Sequence, residues 1–167
     1  MFTRLSYFSA PVKYNRAMPF DPRTVEAKLA LNLISSVDMP RLAWEALEAG
    51  LDGPAIRRIA AFEFPTFFQI QEVLPRAMEE MHLVRLDKAR AALQLAKLRA
   101  QEILRTDSDP LGHLNDFAHL YIEADYCREL ADYGNLSDEA YVAQLMGQSE
   151  QEIRPWVMER LKKLADT

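Results

Sequence analysis

The sequence predicts an all-α fold, a compact array of about seven or eight helices behind an extended N-terminal arm. Three observations carry this expectation. The 167 residues include only five glycines, and Leu, Ala, Glu and Arg, which favour helix over strand, are plentiful. Apolar side chains recur at steps of three and four, the helical period. Asp, Ser and Pro residues that open helices stand ahead of these periodic stretches, with Gly at several of their ends. No run alternates long enough to make a strand. Residues 1–20 read as the arm and residues 21–167 as one helical domain.

In the arm, Pro11 and Pro19 break any helix, and Phe2, Tyr7, Phe8 and Tyr14 supply adhesive side chains. Asp21-Pro22 then opens a helix through Val25 to Ile34. Asp38 and Pro40 open a second, which stops at Gly50. Asp52 with Pro54 opens a short third, turning Ile56 and Ile59 inward. Pro65 opens a fourth with Phe67, Ile70, Leu74, Met78 and Met81 on its apolar stripe, and Pro75 within it is expected to kink or split it. The fifth is the longest. Leu86, Ala89, Leu93, Ala96, Ala100 and Ile103 form a seam of small and large side chains suited to a close antiparallel neighbour. Asp109-Pro110 caps a sixth element through Leu114, Phe117, Leu120 and Tyr121, which either continues to Tyr133 or breaks near Asp125. Ser137 starts a seventh helix, ending at Gly147. Ser149-x-x-Glu152 is a capping box for the last, whose stripe is Ile153, Val157, Leu161 and Leu164.

Hydrophobic residues make up 49% of the chain and charged residues 27%, enough apolar material for a packed core and too much for disorder. Cys127 is the only cysteine, so an intrachain disulfide and a four-cysteine zinc site are excluded, and a reducing cytoplasm is the expected compartment. No secretory signal and no run of 18 uncharged apolar residues is visible, so a membrane role is not expected. Phosphate loops, nucleophile elbows and C-x-x-C pairs are absent, and no cofactor is implied.

The run from Ala46 to Ala60, Ala-Leu-Glu-Ala-Gly-Leu-Asp-Gly-Pro-Ala-Ile-Arg-Arg-Ile-Ala, resembles a segment of small bacterial all-helical proteins of uncharacterised function. In those a helix ends in Gly, followed by Asp, a small turn and Leu-Arg-x-Leu-Ala. Ile56 and Ile59 replace the usual leucines. The resemblance implies a helix stop and a capped restart, and no activity.

Charge is unevenly spread. Residues 106–153 hold 11 acids and one base, Arg128, for a net −10, within a chain of net −5. Such a block repels phosphates and argues against nucleic acid as a ligand. It also holds Tyr121, Tyr126, Tyr133 and Tyr141. Acids speed encounter with a basic partner, and tyrosines anchor it. The expected function is therefore protein–protein interaction of an immunity or adaptor kind, with Glu123, Asp125, Tyr126, Asp132 and Tyr133 as the binding residues. The basic fifth helix reads as a solvated face or as an internal partner of the acidic block. The arm or the seam of the fifth helix could also support a homo-oligomer. The alternative is a metal-binding protein or enzyme using His113, Asp116, His119 and Glu123, which share one side of a helix if that helix is continuous. The ligand set is incomplete, and no stoichiometric metal is expected.

Overall fold

The computed structural model describes residues 20–167, and the arm before Phe20 lies outside the described residues. The described chain is helical, without strands, as expected. Nine α-helical segments follow in order: α1 Pro22–Ala30, α2 Met39–Glu48, α3 Pro54–Ala60, α4 Phe67–Glu80, α5 Lys88–Thr106, α6 Leu114–Glu123, α7 Ala131–Gly134, α8 Leu136–Leu145 and α9 Glu150–Asp166. Short 3-10 turns precede α2, α6 and α7.

The helix boundaries follow the local chemistry. The Asp21 carboxylate caps α1 by accepting from Arg23 N, and Asp87 caps α5 by accepting from Arg90 N. Thr66 with Gln69, and Ser149 with Glu152, form reciprocal capping boxes for α4 and α9. Gly50 and Gly147, both at positive φ, stand just beyond α2 and α8. Pro75 neither splits nor ends α4, which is one helix from Phe67 to Glu80. Pro75 and Gln71, whose carbonyl loses its helical donor, are both exposed, so water satisfies the freed group. The sixth element does break near Asp125. Asp125 and Tyr126 take left-handed backbone at φ 53° and 59°, and Tyr126 N donates back to Tyr121 O while Asp125 N donates to Ile122 O. That paired closure ends α6.

Buried apolar side chains gather in two clusters. One joins α2, α3 and α4 through Met39, Ala46, Ile56, Ile59, Ile70 and Met81. The other surrounds α5 and takes in Phe117, Leu130, Leu136, Ile153 and Leu161. Helix α1 feeds both, Val25 entering the first and Ala27 the second. Three helices lie against α5, namely α1, α6 and α9. Polar contacts fix all three as antiparallel to it. Arg23 O and Glu26 meet Gln94 and Val84. Asp116 and Asp125 meet Arg99 and Lys88. Ala165 O and Arg154 meet Gln101 and Asp109. Of the expected seam, Ala96, Ala100 and Ile103 are buried and Leu86 and Leu93 pack half-buried against the same cluster, whereas Ala89 stays outside it and Ala91 and Ala92 are buried in its place.

The start of α3 is capped from a distance. Gly53 has no side chain to offer, and Glu80, at the end of α4, accepts from Ala55 N at 2.9 Å and Ile56 N at 3.0 Å. A Cβ on Gly53 would stand 2.2 Å from the Glu80 carboxylate, so this glycine makes room for the cap. Glu80→Ala should lower stability by about 1–2 kcal/mol. Gly53→Ala should cost a similar amount by displacing the same carboxylate, and the double variant should lose little more than either alone. Denaturant unfolding of the three variants checks this, and additive losses would contradict it.

Candidate functional site

The acidic stretch is answered in part from within. Among the described residues, five of its acids pair with bases of α5 or α9. Asp116 meets Arg99, Asp125 meets Lys88, Asp109 and Glu150 meet Arg154, and Glu139 meets Arg160. Lys88 and Arg99 of α5 and Arg154 and Arg160 of α9 therefore turn toward the acids, and the other bases of α5 do not pair with this stretch. Hydrogen bonding from Arg154 holds the Asp109 carboxyl below its usual range, and bonding to Asp125 raises the Lys88 ammonium. Glu123, Glu129, Asp132 and Asp138 have no ion pair among the described residues.

The five predicted binding residues differ in exposure and in contacts. Glu123 faces a groove beside α5. Asp125 and Tyr126 make the left-handed stop of α6, where the Tyr126 ring meets Tyr121 edge-on at 5.3 Å between centroids. Tyr126 is exposed, whereas Tyr133 is half-buried against the core cluster around α5. Burial, then the neighbouring Asp132 charge, raises the Tyr133 hydroxyl pKa. Asp132 is exposed, and its backbone carbonyl accepts from Arg160. Tyr121 packs so closely on α7 that a Cβ on Gly134 would stand 2.4 Å from it. Of the four tyrosines, Tyr121 and Tyr133 belong to packing, while Tyr126 and Tyr141 project outward.

The histidine–carboxylate set also divides. His113 stands in the 3-10 turn ahead of α6, so the four residues do not share one continuous α-helix. Arg99 occupies the centre of its first half. Its guanidinium donates to Asp116 at 2.8 Å and Glu102 at 2.8 Å and contacts His113 Nδ1 at 3.0 Å. Burial opposes the Arg99 charge, but these carboxylate bonds outweigh it and raise its pKa. A guanidinium in that position repels a metal cation. His119 and Glu123 instead line the groove, and no three candidate ligands converge among the described residues.

That groove runs between α1 and α6 over the outer face of α5. It encloses about 680 Å³, with Leu95 and Leu98 as its floor and Leu33 and Leu120 at its sides. Two further surfaces escape a search guided by charge and tyrosine. On α8, Tyr141, Val142, Leu145 and Met146 are exposed, the last at 81%. Val142 and Met146 border a shallow depression of about 430 Å³ that also touches Asp138 and Glu139. At the corner joining α3 to α4, Phe64 is 86% and Phe68 82% exposed, with Phe67 beside them. The signal for α8 was present in the sequence, because its apolar residues circle the helix instead of forming a stripe. Phe67, expected on the inward stripe of α4, faces water, and Val73 and Ala77 are buried in that stripe with Ile70.

No family model, no curated protein and no solved structure matches this chain. Among the described residues, no helix is long and apolar enough to cross a membrane, and no buried side-chain nitrogen or oxygen lacks a partner. The buried polar groups are committed to the fold, and the exposed surface carries both unpaired acids and apolar side chains.

The Asp109–Arg154 pair gives a pH-dependent expectation. The folded carboxyl titrates below the ordinary value of about 4. Its contribution is therefore present above that value and lost as pH falls through the folded pKa. Thermal unfolding from pH 6 to pH 2 should show a steeper acid loss in the wild type than in Arg154→Gln. Parallel acid limbs would contradict this. Arg99→Ala strands Asp116 and Glu102 in a half-exposed site and should cost about 1 kcal/mol, measured by denaturant unfolding at neutral pH.

Proposed function

We propose that this chain is an interaction protein of an adaptor or immunity-like kind, whose partner is basic and docks on the acidic surface around α8. The observation that carries the reading is the exposure of Tyr141, Val142, Leu145 and Met146 within six residues, beside Asp138 and Glu139. Single exposed apolar side chains are ordinary, but a cluster of this kind marks a contact surface. The acids without internal partners, Glu129, Asp132 and Asp138, supply attraction for a cationic segment over about 8–10 Å at physiological salt. Desolvating Leu145 and Met146 supplies residence, which charge alone does not. Glu123 and Tyr126 extend the same acidic and aromatic character at the end of α6. Tyr133 contributes through stability, because its ring packs against the core.

A photo-cross-linker placed at Met146 in cells identifies the partner, and purified components then give kinetics at two salt concentrations. The partner is expected to be basic at the cross-linked segment. Met146→Asp with Leu145→Asp should raise the dissociation rate at least about tenfold, and Asp138→Lys should mainly slow association, with the effect shrinking as salt rises. An acidic partner, or binding indifferent to salt and to all three substitutions, rejects the proposal.

A further inference from the structure

We propose that the groove beside α5 is the docking site of this chain's own N-terminal segment, residues 1–19, which lies along the leucine floor as an intramolecular strap. Connectivity is the first argument. The described chain begins at Phe20, which packs against the α2–α4 cluster. The next residue, Asp21, already lines the groove, together with Thr24 in the first turn of α1. The depression on α8 and the hollow between α1 and α4 include none of residues 20–24. Helix α1 runs antiparallel to α5 with Arg23 O bonded to Gln94, so prolonging it backward passes over Leu98 toward Arg105. A segment tethered at that edge meets the groove at an effective concentration of about millimolar. It therefore needs much less buried area than two separate chains do.

Composition is the second argument. Residues 1–19 combine Phe2, Tyr7, Phe8, Tyr14 and Met18 with Arg4, Lys13 and Arg16, and contain no acid. The groove complements both features. Leu98 lines its floor but belongs to neither core cluster, and Leu33 at its side is 45% exposed, so both have apolar surface left to cover. Four acids and three bases line the groove, which leaves the lining net negative. Arg99 alone is shared by Asp116 and Glu102, so a carboxylate surplus stands beside Leu98. Lys28 and Arg105 are exposed, on flexible stems that can swing into water. Length is the third argument. The lined part of α5, from Leu95 to Arg105, rises about 15 Å at 1.5 Å per residue, which about five residues of extended chain cover. Residues 14–18 suffice, and in an extended run Tyr14, Arg16 and Met18 share one side. This inference does not rest on the α8 reading.

Limited trypsin digestion of the full chain tests it, with cleavage after Lys13 and Arg16 followed by mass spectrometry. Docking hides these sites, so the rate reports the undocked fraction. Leu98→Lys removes apolar floor and adds a repelling charge, and should speed these cuts at least about tenfold. Gln101→Lys, at an exposed lining position, adds charge without removing an ion pair and should speed them about threefold. It keeps the test valid if circular dichroism shows that Leu98→Lys loses helix. Phe68→Asp, at the exposed corner before α4, should leave the rate unchanged. The wild-type rate should not vary with protein concentration, because the strap belongs to the same chain. A photo-cross-linker in place of Tyr14 should join residues 95–105 of its own chain. Wild-type cleavage as fast as that of Leu98→Lys and Gln101→Lys, protection that appears only at high protein concentration, or cross-links confined to other helices or to other chains overturns the proposal.

Discussion

Helix α5 is the constraint on which the C-terminal half of the described chain depends. Its Ala91, Ala92, Ala96 and Ala100 are fully buried, so three helices can lie close to one axis. A larger side chain at those positions would push α1, α6 or α9 outward. The alanines also explain how one helix has room for three antiparallel neighbours, since small side chains let backbones approach from several directions. Ile103 and Phe117 then fill the space that the alanines leave.

The charges follow from the same arrangement. Lys88 and Arg99 rise from the α5 surface beside the packed seam and reach Asp125 and Asp116 on α6. Arg154 and Arg160 do the same from α9, toward Asp109 and Glu139. Each such pair is exposed and contributes little alone. Together they place bases against an acidic stretch that would otherwise repel itself. The acidic block is thus partly a device for docking α6 and α8 onto basic helices, and only its unpaired members remain for an outside partner. The apolar surface left over lies on α8, in the groove and at the Phe64–Phe68 corner.

Helix existence and most helix limits were legible in the residues. Asp21, Ser149, Gly50 and Gly147 act locally, through hydrogen bonds or φ freedom within a turn, so no tertiary information is needed to read them, whereas the caps Thr66 and Asp87 were not read from the sequence. The buried stripe of α9 is the expected one, Ile153, Val157, Leu161 and Leu164. What depended on neighbours was not legible. Glu80 caps α3 from 25 residues away. Pro75 passes through α4 on its exposed face, where the carbonyl freed at Gln71 is open to solvent, which periodicity does not reveal. Asp125 stops α6 without a glycine, supported by the Tyr121–Tyr126 contact and by Lys88. The candidate site was read by chain proximity, grouping Asp125, Asp132 and Tyr133 as one face. In the structure the exposed Asp125 pairs with Lys88 and the half-buried Tyr133 packs against the core cluster around α5, while the exposed residues of α8 and the phenylalanine corner carried no charge signature to draw attention.

The most direct measurement of the claim that α5 organises this half is denaturant unfolding of Ala96→Leu and Ala100→Leu beside Leu98→Ala. The alanines face the three neighbouring helices, and Leu98 faces the groove. Each added leucine should cost about 1–3 kcal/mol through overpacking, whereas Leu98→Ala should cost less than about 1 kcal/mol because its side chain is only partly covered. Tolerated leucines at 96 and 100, with a large loss at 98, would place the structural contact on the other face of α5 and contradict the account.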